Sequence, residues 1–251
     1  EGLMTERPVR SPHHTISDVA LVGGGSYPQP GEISLAHNGV LFLDELPEYK
    51  RTVLEVLRQP LEDRVVTIAR SAFTVDYPAS FMLIAAMNPC ACGYYNHPTK
   101  DCSCPPGAVT RYLSKVSGPL MDRIDIQIEV TPVDYDEITS KEYTGETSEQ
   151  IRKRVVAART IQSERFAKLD LHNNAQMQPK HLRQYCDLDT ASIKLLKTAM
   201  EKLQLSGRAY DRILKLSRTI ADLANSENLK AEHVAEAIQY RNLDRENWGE
   251  Q

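Results

Sequence analysis

The sequence predicts an α/β region followed by an all-α region, because turn-forming residues and apolar patterns divide the 251-residue chain in two. Residues 1–130 hold 9 of the 12 glycines and 12 of the 14 prolines, whereas residues 131–251 hold more of the charged side chains. Glycine and proline form turns and interrupt helices, so we expect strands and shaped loops first and helices afterwards. The net charge is −4 in the first region and zero in the second, which argues against a protein that coats nucleic acid.

Three apolar runs predict the strands of the first region. They are the short run Val40–Leu43, the longer run Phe81–Met87 and the strictly alternating run Ile124–Val130. Residues Arg51–Leu61 lie between the first two runs, have apolar side chains at helical spacing and end near Pro60. A helix between two buried runs indicates a parallel sheet. Before the second run, Arg64–Ile68 and Ala72–Tyr77 predict a hairpin.

The second region has apolar side chains three and four residues apart, which is typical of amphipathic helices. The predicted helices are Glu149–Ala167, Thr190–Leu203, Tyr210–Leu223 and Ala231–Tyr240, with a shorter one at Lys180–Tyr185. The polar stretch Ser140–Ser148 is the expected flexible joint.

Several classes of protein are excluded by what the sequence lacks. No run approaches the about 18 apolar residues of a membrane span, and the N-terminus has no cleavable signal. Five cysteines in such a chain indicate a reducing compartment, so we expect a cytoplasmic protein without a membrane partner. The chain begins with Glu1 rather than Met, and we expect it to be a piece of a longer protein.

An acidic pair, Asp44 and Glu45, directly follows the run Val40–Leu43. The carboxyl end of a parallel strand is where open α/β sheets bind ligands. There, Asp44 can hold Mg²⁺ through its water shell and Glu45 can polarise an attacking water. The alternative is a strand that ends in a solvated acidic turn.

The wider string Gly31–Glu48, which contains Val-Leu-Phe-Leu-Asp-Glu-Leu, resembles the AAA+ ATPases of the magnesium-chelatase-like family. The similarity runs from the Arg10–Thr15 string to Arg241. The resemblance implies that Asp44 and Glu45 form the Walker B pair, Asn88 is the sensor 1 residue, Arg123 is an arginine finger and Arg208 is the sensor 2 residue. Asp44 and Arg208 would then contact ATP and Mg²⁺. Four motifs in the right order outweigh the alternative that each is an ordinary surface charge.

The sequence departs from the family at the phosphate-binding loop. That loop needs the pattern G-x-x-x-x-G-K-[ST], whereas the glycine-rich stretch Gly23–Gly31 has no following Lys-Ser or Lys-Thr. In the resembled family the Walker A motif lies upstream of the point where this chain begins. We therefore expect a C-terminal fragment that neither hydrolyses ATP nor binds it tightly by itself.

The family's two inserted elements have counterparts here. Asp18–Gly31 falls where the helix-2 insert belongs and Arg64–Tyr77 where the hairpin before sensor 1 belongs. In ring-shaped relatives such elements line the pore, so Tyr27 and Arg70 are candidates for stacking on bases and pairing with phosphates of DNA. The alternative, a surface turn and an ordinary hairpin tip, stays open.

The resemblance also predicts the domain plan. An AAA+ parallel-sheet core covers residues 1–131, with a cysteine-rich loop inserted at 89–107. A connecting segment with a long helix covers 132–175, and a helical lid with sensor 2 covers 176–251.

Four of the five cysteines form two C-x-C pairs, Cys90 with Cys92 and Cys102 with Cys104. Four thiolates on one loop can hold structural Zn²⁺ tetrahedrally. Two disulfides and an iron–sulfur cluster are the alternatives, of which the compartment disfavours the first and the spacing the second. His97 can replace one thiolate, and the separate Cys186 is expected in a helical core.

The resemblance implies a ring-forming ATPase, expected as a hexamer, that hydrolyses ATP to move a polymer. Within the family, this sequence resembles the DNA branch most in the C-x-C pairs and in the segments around His13-His14, Asn88 and Tyr240. That resemblance implies a helicase that acts on single-stranded or branched DNA. The helicase would drive branch migration in recombination during natural transformation. The alternatives are a chelatase motor that drives Mg²⁺ into a porphyrin and a non-catalytic oligomerisation module. Sigma-factor-dependent activators are disfavoured because Ala72-Phe73-Thr74 lacks the glycines of their loop.

Overall fold

The computed structural model describes residues 6–25, 27–70, 73–133, 139 and 145–241 of the chain. It separates into two compact units, one within residues 1–124 and the other within 125–246. The three-part division expected from the family stays a prediction.

The first unit contains short helices and seven strands among its described residues. In chain order they are β1 (Val9–Arg10), α1 (Asp18–Val22), β2 (Gly23–Gly24), β3 (Gln29–Pro30), α2 (Glu32–Leu35), β4 (Val40–Leu43), a 3₁₀ turn (Leu46–Glu48), α3 (Arg51–Glu55), α4 (Arg58–Asp63), β5 (Val65–Arg70), β6 (Phe73–Pro78), β7 (Met82–Ala85), α5 (Ala108–Leu113) and α6 (Gly118–Met121).

The central strand β4 belongs to a three-stranded parallel sheet, with β1 on one side and β7 on the other. Leu41 and Leu43 are fully buried whereas the alternate residues Val40 and Phe42 are half-buried, so β4 packs more tightly on one face. Within the described residues β7 forms a ladder with β4 alone, and its Met82 and Ile84 are largely exposed. This mixed α/β architecture is consistent with part of an AAA+-like fold.

The two elements predicted as inserts contact each other. Strands β5 and β6 form the expected antiparallel hairpin, and β2 and β3 form a smaller ribbon. The Tyr77 hydroxyl of the hairpin donates a hydrogen bond to the Pro28 carbonyl of the ribbon at 2.8 Å. Gly23 has a φ of +113°, and a Cβ there would lie 2.4 Å from the Gln29 carbonyl oxygen and 2.9 Å from Ile68 Cδ1. Glycine at 23 is therefore what lets the ribbon lie against the hairpin.

Residues 51–61 form two short helices, α3 and α4, rather than the single predicted helix. Pro60 does not end the second helix, because it occupies the first turn, where its missing N–H has no helical partner to lose. The chain instead leaves α4 at Arg64, which has a left-handed φ of 57°. Its N–H donates to the Pro60 carbonyl at 3.0 Å.

The strand predicted at Ile124–Val130 is wrong. These residues form no ladder, although all of them are described, and Ile126, Ile128 and Val130 are 47%, 67% and 81% exposed. Their alternation is real, but alternation makes a strand only where a neighbouring strand edge supplies hydrogen bonds.

The second unit is helical in its described residues, as predicted. It contains α7 (Ser148–Arg165), a 3₁₀ turn (Asn174–Gln176), α8 (Pro179–Tyr185), α9 (Thr190–Lys202), α10 (Gly207–Leu223) and α11 (Ala231–Gln239). Most of the expected flexible joint at 140–148 lies outside the described residues. Helices α7, α9 and α10 begin at side-chain caps, and the cap of α9, Asp189, accepts from the Ser192 N–H at 2.7 Å.

The apolar core of this unit surrounds α10. It includes Phe166, Leu196, Ile213, Val234 and Cys186. Burial raises the pKa of Cys186 to about 11, which fits the predicted role of a core residue. In the part of the chain that the structure describes, no helix has both the length and the apolar character needed to cross a membrane.

A charged network is buried beside that core. The Asp222 side chain is fully buried and accepts hydrogen bonds from both terminal nitrogens of Arg165, at 2.7 and 2.5 Å, and from Arg218 Nε at 3.1 Å. Asn174 donates a further bond at 2.8 Å. The guanidinium groups neutralise the carboxylate, so the network fixes α7 against α10.

Candidate functional site

The acidic pair lies where the sequence predicts it, directly after the buried strand β4. Asp44 and Glu45 are both exposed, and Asp44 Oδ1 accepts a hydrogen bond from the Glu45 N–H at 2.9 Å. Glu45 has a left-handed backbone with φ 53° and ψ 46°, which is uncommon for a residue with a side chain. The next N–H, of Leu46, donates to the Ala86 carbonyl at 3.0 Å. The turn is thereby fixed to the chain that leaves β7.

His14 lies against Glu45, a contact that sequence reasoning missed. Its Nδ1 is 3.0 Å from Glu45 Oε2, and its ring meets Tyr49 edge to face at 6.3 Å. The Tyr49 hydroxyl donates to the Pro12 carbonyl at 2.5 Å, which fixes the segment before His14. Burial raises the pKa of Tyr49, and the charges of Asp44 and Glu45 raise it further. A histidine just beyond a strand parallel to β4 is the signal that could have predicted the contact.

Asn88 follows β7 by three residues and is exposed. Strands β4 and β7 are parallel and pair Leu43 with Ala85, so both chains leave the sheet at the same edge. Asp44 and Asn88 therefore follow neighbouring strands at one edge of the sheet.

Arg123 is buried in its own chain. Its side chain is 6% exposed, NH2 lies 2.9 Å from Glu62 Oε1, and NH1 donates to the Pro119 carbonyl at 2.5 Å. The guanidinium lines a cleft of about 460 Å³ whose wall also includes Glu62, Asp63 and Thr67. To act as an arginine finger on a neighbouring subunit, Arg123 would have to leave these contacts, or the neighbour's nucleotide would have to reach it through the cleft.

The remaining predicted contacts lie on separate elements. Arg208 is exposed in the first turn of α10, within the second unit. Ser206 caps that helix and accepts from the Ala209 N–H at 3.2 Å. Tyr27 is 82% exposed between β2 and β3. Arg70 ends β5 at the closed end of the hairpin, and its side chain lies outside the described part of the structure.

The four clustered cysteines come together as predicted. Their sulfur atoms all lie within 4.8 Å of one another. The Sγ atom of Cys90 is 3.3 Å from that of Cys92 and 3.8 Å from that of Cys102, and Cys92 and Cys102 are 3.5 Å apart. A tetrahedron with Zn–S bonds of about 2.3 Å separates its sulfurs by about 3.8 Å. All four are free thiols at distances well beyond the about 2.05 Å of a disulfide. The cluster can hold a metal ion.

The four thiols are not electrostatically equivalent. The Tyr94 backbone N–H is the main cause that lowers the pKa of Cys92 to about 5. The Cys104 backbone N–H lowers the pKa of Cys102, but desolvation and the neighbouring sulfurs of Cys92 and Cys90 outweigh it and raise the pKa to about 12. The Cys92 thiol ionises readily, whereas Cys102 and Cys104, whose pKa values are raised, need a cation to offset the accumulating negative charge.

His97 is outside the cluster. Its Nδ1 accepts a hydrogen bond from the Thr99 N–H at 3.2 Å, and its ring packs edge to face on Tyr94 with centroids 5.6 Å apart. Lys100 Nζ lies 5.0 Å from the Tyr94 ring centroid. These contacts shape the loop between the two C-x-C pairs and leave the four sulfurs as the donor set.

Two family models of known proteins match this chain. Residues 1–138 match the family model for magnesium chelatase subunit ChlI, and residues 145–241 match the model for its C-terminal part. The chain belongs to the magnesium chelatase ChlI family. The resemblance predicted from the motifs is thus confirmed, and the family is one of AAA+ ATPase-type proteins that use ATP and Mg²⁺.

The curated relatives are longer than this chain. It is 47% identical over 240 residues to the competence protein ComM of Haemophilus influenzae, which covers 96% of this chain and 46% of the relative. It is 45% identical over 241 residues to the uncharacterised protein YifB of Escherichia coli, with the same coverage. An uncharacterised protein of Mycobacterium tuberculosis is 38% identical over 240 residues. The chain spans about half the length of the curated relatives that it matches.

Proposed function

We propose that this chain forms the Walker B, sensor, finger and lid part of an ATP-hydrolysing motor. The observation that carries the proposal is the position of Asp44 and Glu45 directly after the central buried strand, with Asn88 following the neighbouring strand at the same edge. Two carboxylates and an amide at that edge are the set needed to handle a metal-bound triphosphate and a water.

Each side chain has a distinct role in hydrolysis. Asp44 would hold Mg²⁺, and Glu45 would accept a hydrogen bond from the attacking water and polarise it. Asn88 orients the same water. The metal, when bound, neutralises charge on the β- and γ-phosphate oxygens.

Two arginines supply the remaining positive charge. Arg123 and Arg208 carry permanent charge and present several N–H groups to phosphate oxygens. Residues 1–251 contain no G-x-x-x-x-G-K-[ST] pattern, so hydrolysis requires a longer chain that carries one.

The substrate that we propose for the motor is single-stranded or branched DNA, handled by a hexameric ring in the cytoplasm. The similarity to a protein named for competence supports this substrate. So does the exposure of Tyr27 at the tip of an element that packs against the β5–β6 hairpin. An exposed aromatic ring stacks on bases without regard to their sequence. We propose branch migration as the activity that such contacts serve.

A chelatase motor is the second candidate, because the family model is named for magnesium chelatase. In that case ATP hydrolysis drives Mg²⁺ into a porphyrin and no DNA is involved. The two candidates share Asp44, Glu45 and Asn88 and differ in what stimulates turnover.

The experiment measures ATP turnover by a longer chain with a phosphate-binding loop, with and without forked DNA or a Holliday junction. We expect stimulation by DNA that Tyr27→Ala weakens, and loss of all turnover in Glu45→Gln. The Glu48→Gln variant is the control, because it removes a nearby exposed carboxylate that pairs with Lys115. ATP turnover that no form of DNA stimulates would favour the chelatase candidate. Turnover that survives Glu45→Gln would contradict the proposed site.

We assign the cysteine cluster to structural Zn²⁺. The sulfur separations suit a closed four-thiolate site, and such a site stabilises a loop rather than activating a water. The loop lies between Asn88 and Arg123 in the chain, so the metal would fix the segment that joins the two.

A further inference from the structure

Glu62 is the charged partner of Arg123 within the first unit. The two groups are 2.9 Å apart, and the arginine side chain is 6% exposed whereas the glutamate side chain is 33% exposed. An arginine keeps its charge at any working pH, so it is costly to bury without an anion beside it. Within this chain, Glu62 supplies that anion.

The guanidinium is not fully satisfied by these contacts. Its Nε is buried without a hydrogen-bond partner, although NH1 donates to the Pro119 carbonyl and NH2 forms the ion pair with Glu62. Nε and NH2 form one edge of the planar group, the edge that an oxyanion grips with two oxygens. Glu62 uses only the NH2 end of that edge, and the cleft gives a ligand access to Arg123.

The backbone places Glu62 near the end of α4, one residue before the helix ends at Asp63. Pro60 is buried and its carbonyl accepts the Arg64 N–H, so the main chain on both sides of Glu62 is fixed. The Glu62 side chain is 33% exposed, so part of the carboxylate already faces water while it pairs with Arg123.

We propose that Glu62 is a positioning residue for Arg123, an exchangeable counter-ion that holds the guanidinium until phosphate oxygens entering the cleft replace the carboxylate. The proposal rests on the proposed function, in which Arg123 acts on a nucleotide phosphate. Exchange of one anion for another never leaves the buried charge unpaired, and it makes Glu62 a competitor of the phosphate.

The first test is steady-state ATP turnover by the full chain with its phosphate-binding loop. We expect Glu62→Gln to raise kcat without DNA by about threefold to tenfold, since the finger no longer has to leave a charged partner. Glu62→Asp restores the charge and should return turnover toward the wild-type value. Arg123→Gln should abolish turnover whether residue 62 is Glu or Gln.

The matched control is Glu32→Gln. It removes a carboxylate that pairs with Arg10 at 2.6 Å in the same unit, an arginine with no assigned contact to nucleotide. A general effect of breaking a carboxylate–arginine pair would appear in this control as well, whereas release of the finger would not. Unchanged or lower turnover in a folded Glu62→Gln protein overturns the proposal.

A second test does not depend on hydrolysis and uses residues 1–251. Pyrophosphate at constant ionic strength should raise the Tm of Glu62→Gln more than that of the wild type, and the double variant with Arg123→Gln should lose the shift. Equal shifts in wild type and Glu62→Gln overturn the counter-ion exchange. Absence of turnover in the wild-type full chain would instead contradict the proposed function, so the two failures are distinguishable.

Discussion

The Nδ1 atom of His14 lies 3.0 Å from Oε2 of Glu45, the carboxylate proposed to polarise the attacking water. The contact joins the segment after β1 to the turn after β4. It restricts the rotamers of a glutamate whose side chain is otherwise 57% exposed. His14 thus takes part in orienting Glu45, although the two residues are 31 positions apart in the sequence.

We expect His14→Ala to lower the kcat of the full chain about threefold to tenfold with little change in KM, because the carboxylate loses its fixed orientation. The His13→Ala variant is the control. The Nδ1 of His13 pairs with a different side chain, lying 3.0 Å from Thr15 Oγ1. Equal effects of the two substitutions on kcat would contradict an orienting role for His14.

The cysteine cluster predicts a metal content that can be measured directly. We expect about one zinc per chain by elemental analysis, and loss of most of it in Cys102→Ser, because three thiolates bind Zn²⁺ less tightly than four. Cys186→Ser should keep the zinc, since this thiol is buried in the core of the second unit. A brown protein that contains iron would contradict the zinc assignment.

The buried network of the second unit predicts a large loss of stability. We expect Asp222→Ala to lower the free energy of unfolding by about 3–5 kcal/mol, because Arg165 and Arg218 are left without their shared carboxylate. Denaturant unfolding followed by circular dichroism measures the effect. Glu201→Gln is the comparison, because its ion pair with Lys197 is exposed and 4.0 Å long and should contribute about 0.5 kcal/mol or less. Similar losses of unfolding free energy in both variants would show that the buried network of Asp222 contributes no more than an exposed ion pair.

Gly23 predicts a second effect on stability, in the first unit. Gly23→Ala forces a side chain into a φ of +113° and against the Gln29 carbonyl, so we expect a loss of about 1–3 kcal/mol or more in thermal unfolding. In contrast, a Cβ at Gly118 meets nothing within 4 Å, and Gly118→Ala should change the Tm little. A Tm for Gly23→Ala equal to that of the wild type would mean that the ribbon and hairpin do not depend on this close approach.

The local patterns of the sequence were enough to predict much of this molecule. The run Val40–Leu43 is a strand because it is apolar and bounded by Asn38-Gly39 and Asp44-Glu45. The two C-x-C pairs bring their thiols together because the intervening loop is short enough to close on itself. In both cases the residues that determine the structure are near one another in the chain.

The sequence alone did not predict contacts between segments that are distant in the chain. The pairing of Glu62 with Arg123 and of His14 with Glu45 depends on how helices and loops pack, and periodicity carries no information about that. The stretch Ile124–Val130, in which Ile126, Ile128 and Val130 are exposed, shows the reverse error. Its alternating pattern satisfies the rule for a strand, but no partner strand among the described residues completes it. The roles of Asn88, Arg123 and Arg208 stay predictions, because their chemistry requires a nucleotide.

The close packing of the β2–β3 ribbon on the β5–β6 hairpin connects the exposed Tyr27 segment to the end of α4. The hairpin is clamped at its base, where the Ala79 N–H donates to the Arg64 carbonyl at 2.8 Å, and Arg64 itself is the sharp left-handed bend that ends α4. Glu62 lies two residues before that bend. Hydrogen bonds therefore join the ribbon that carries Tyr27 to the hairpin, and the base of the hairpin to the residue that ends α4.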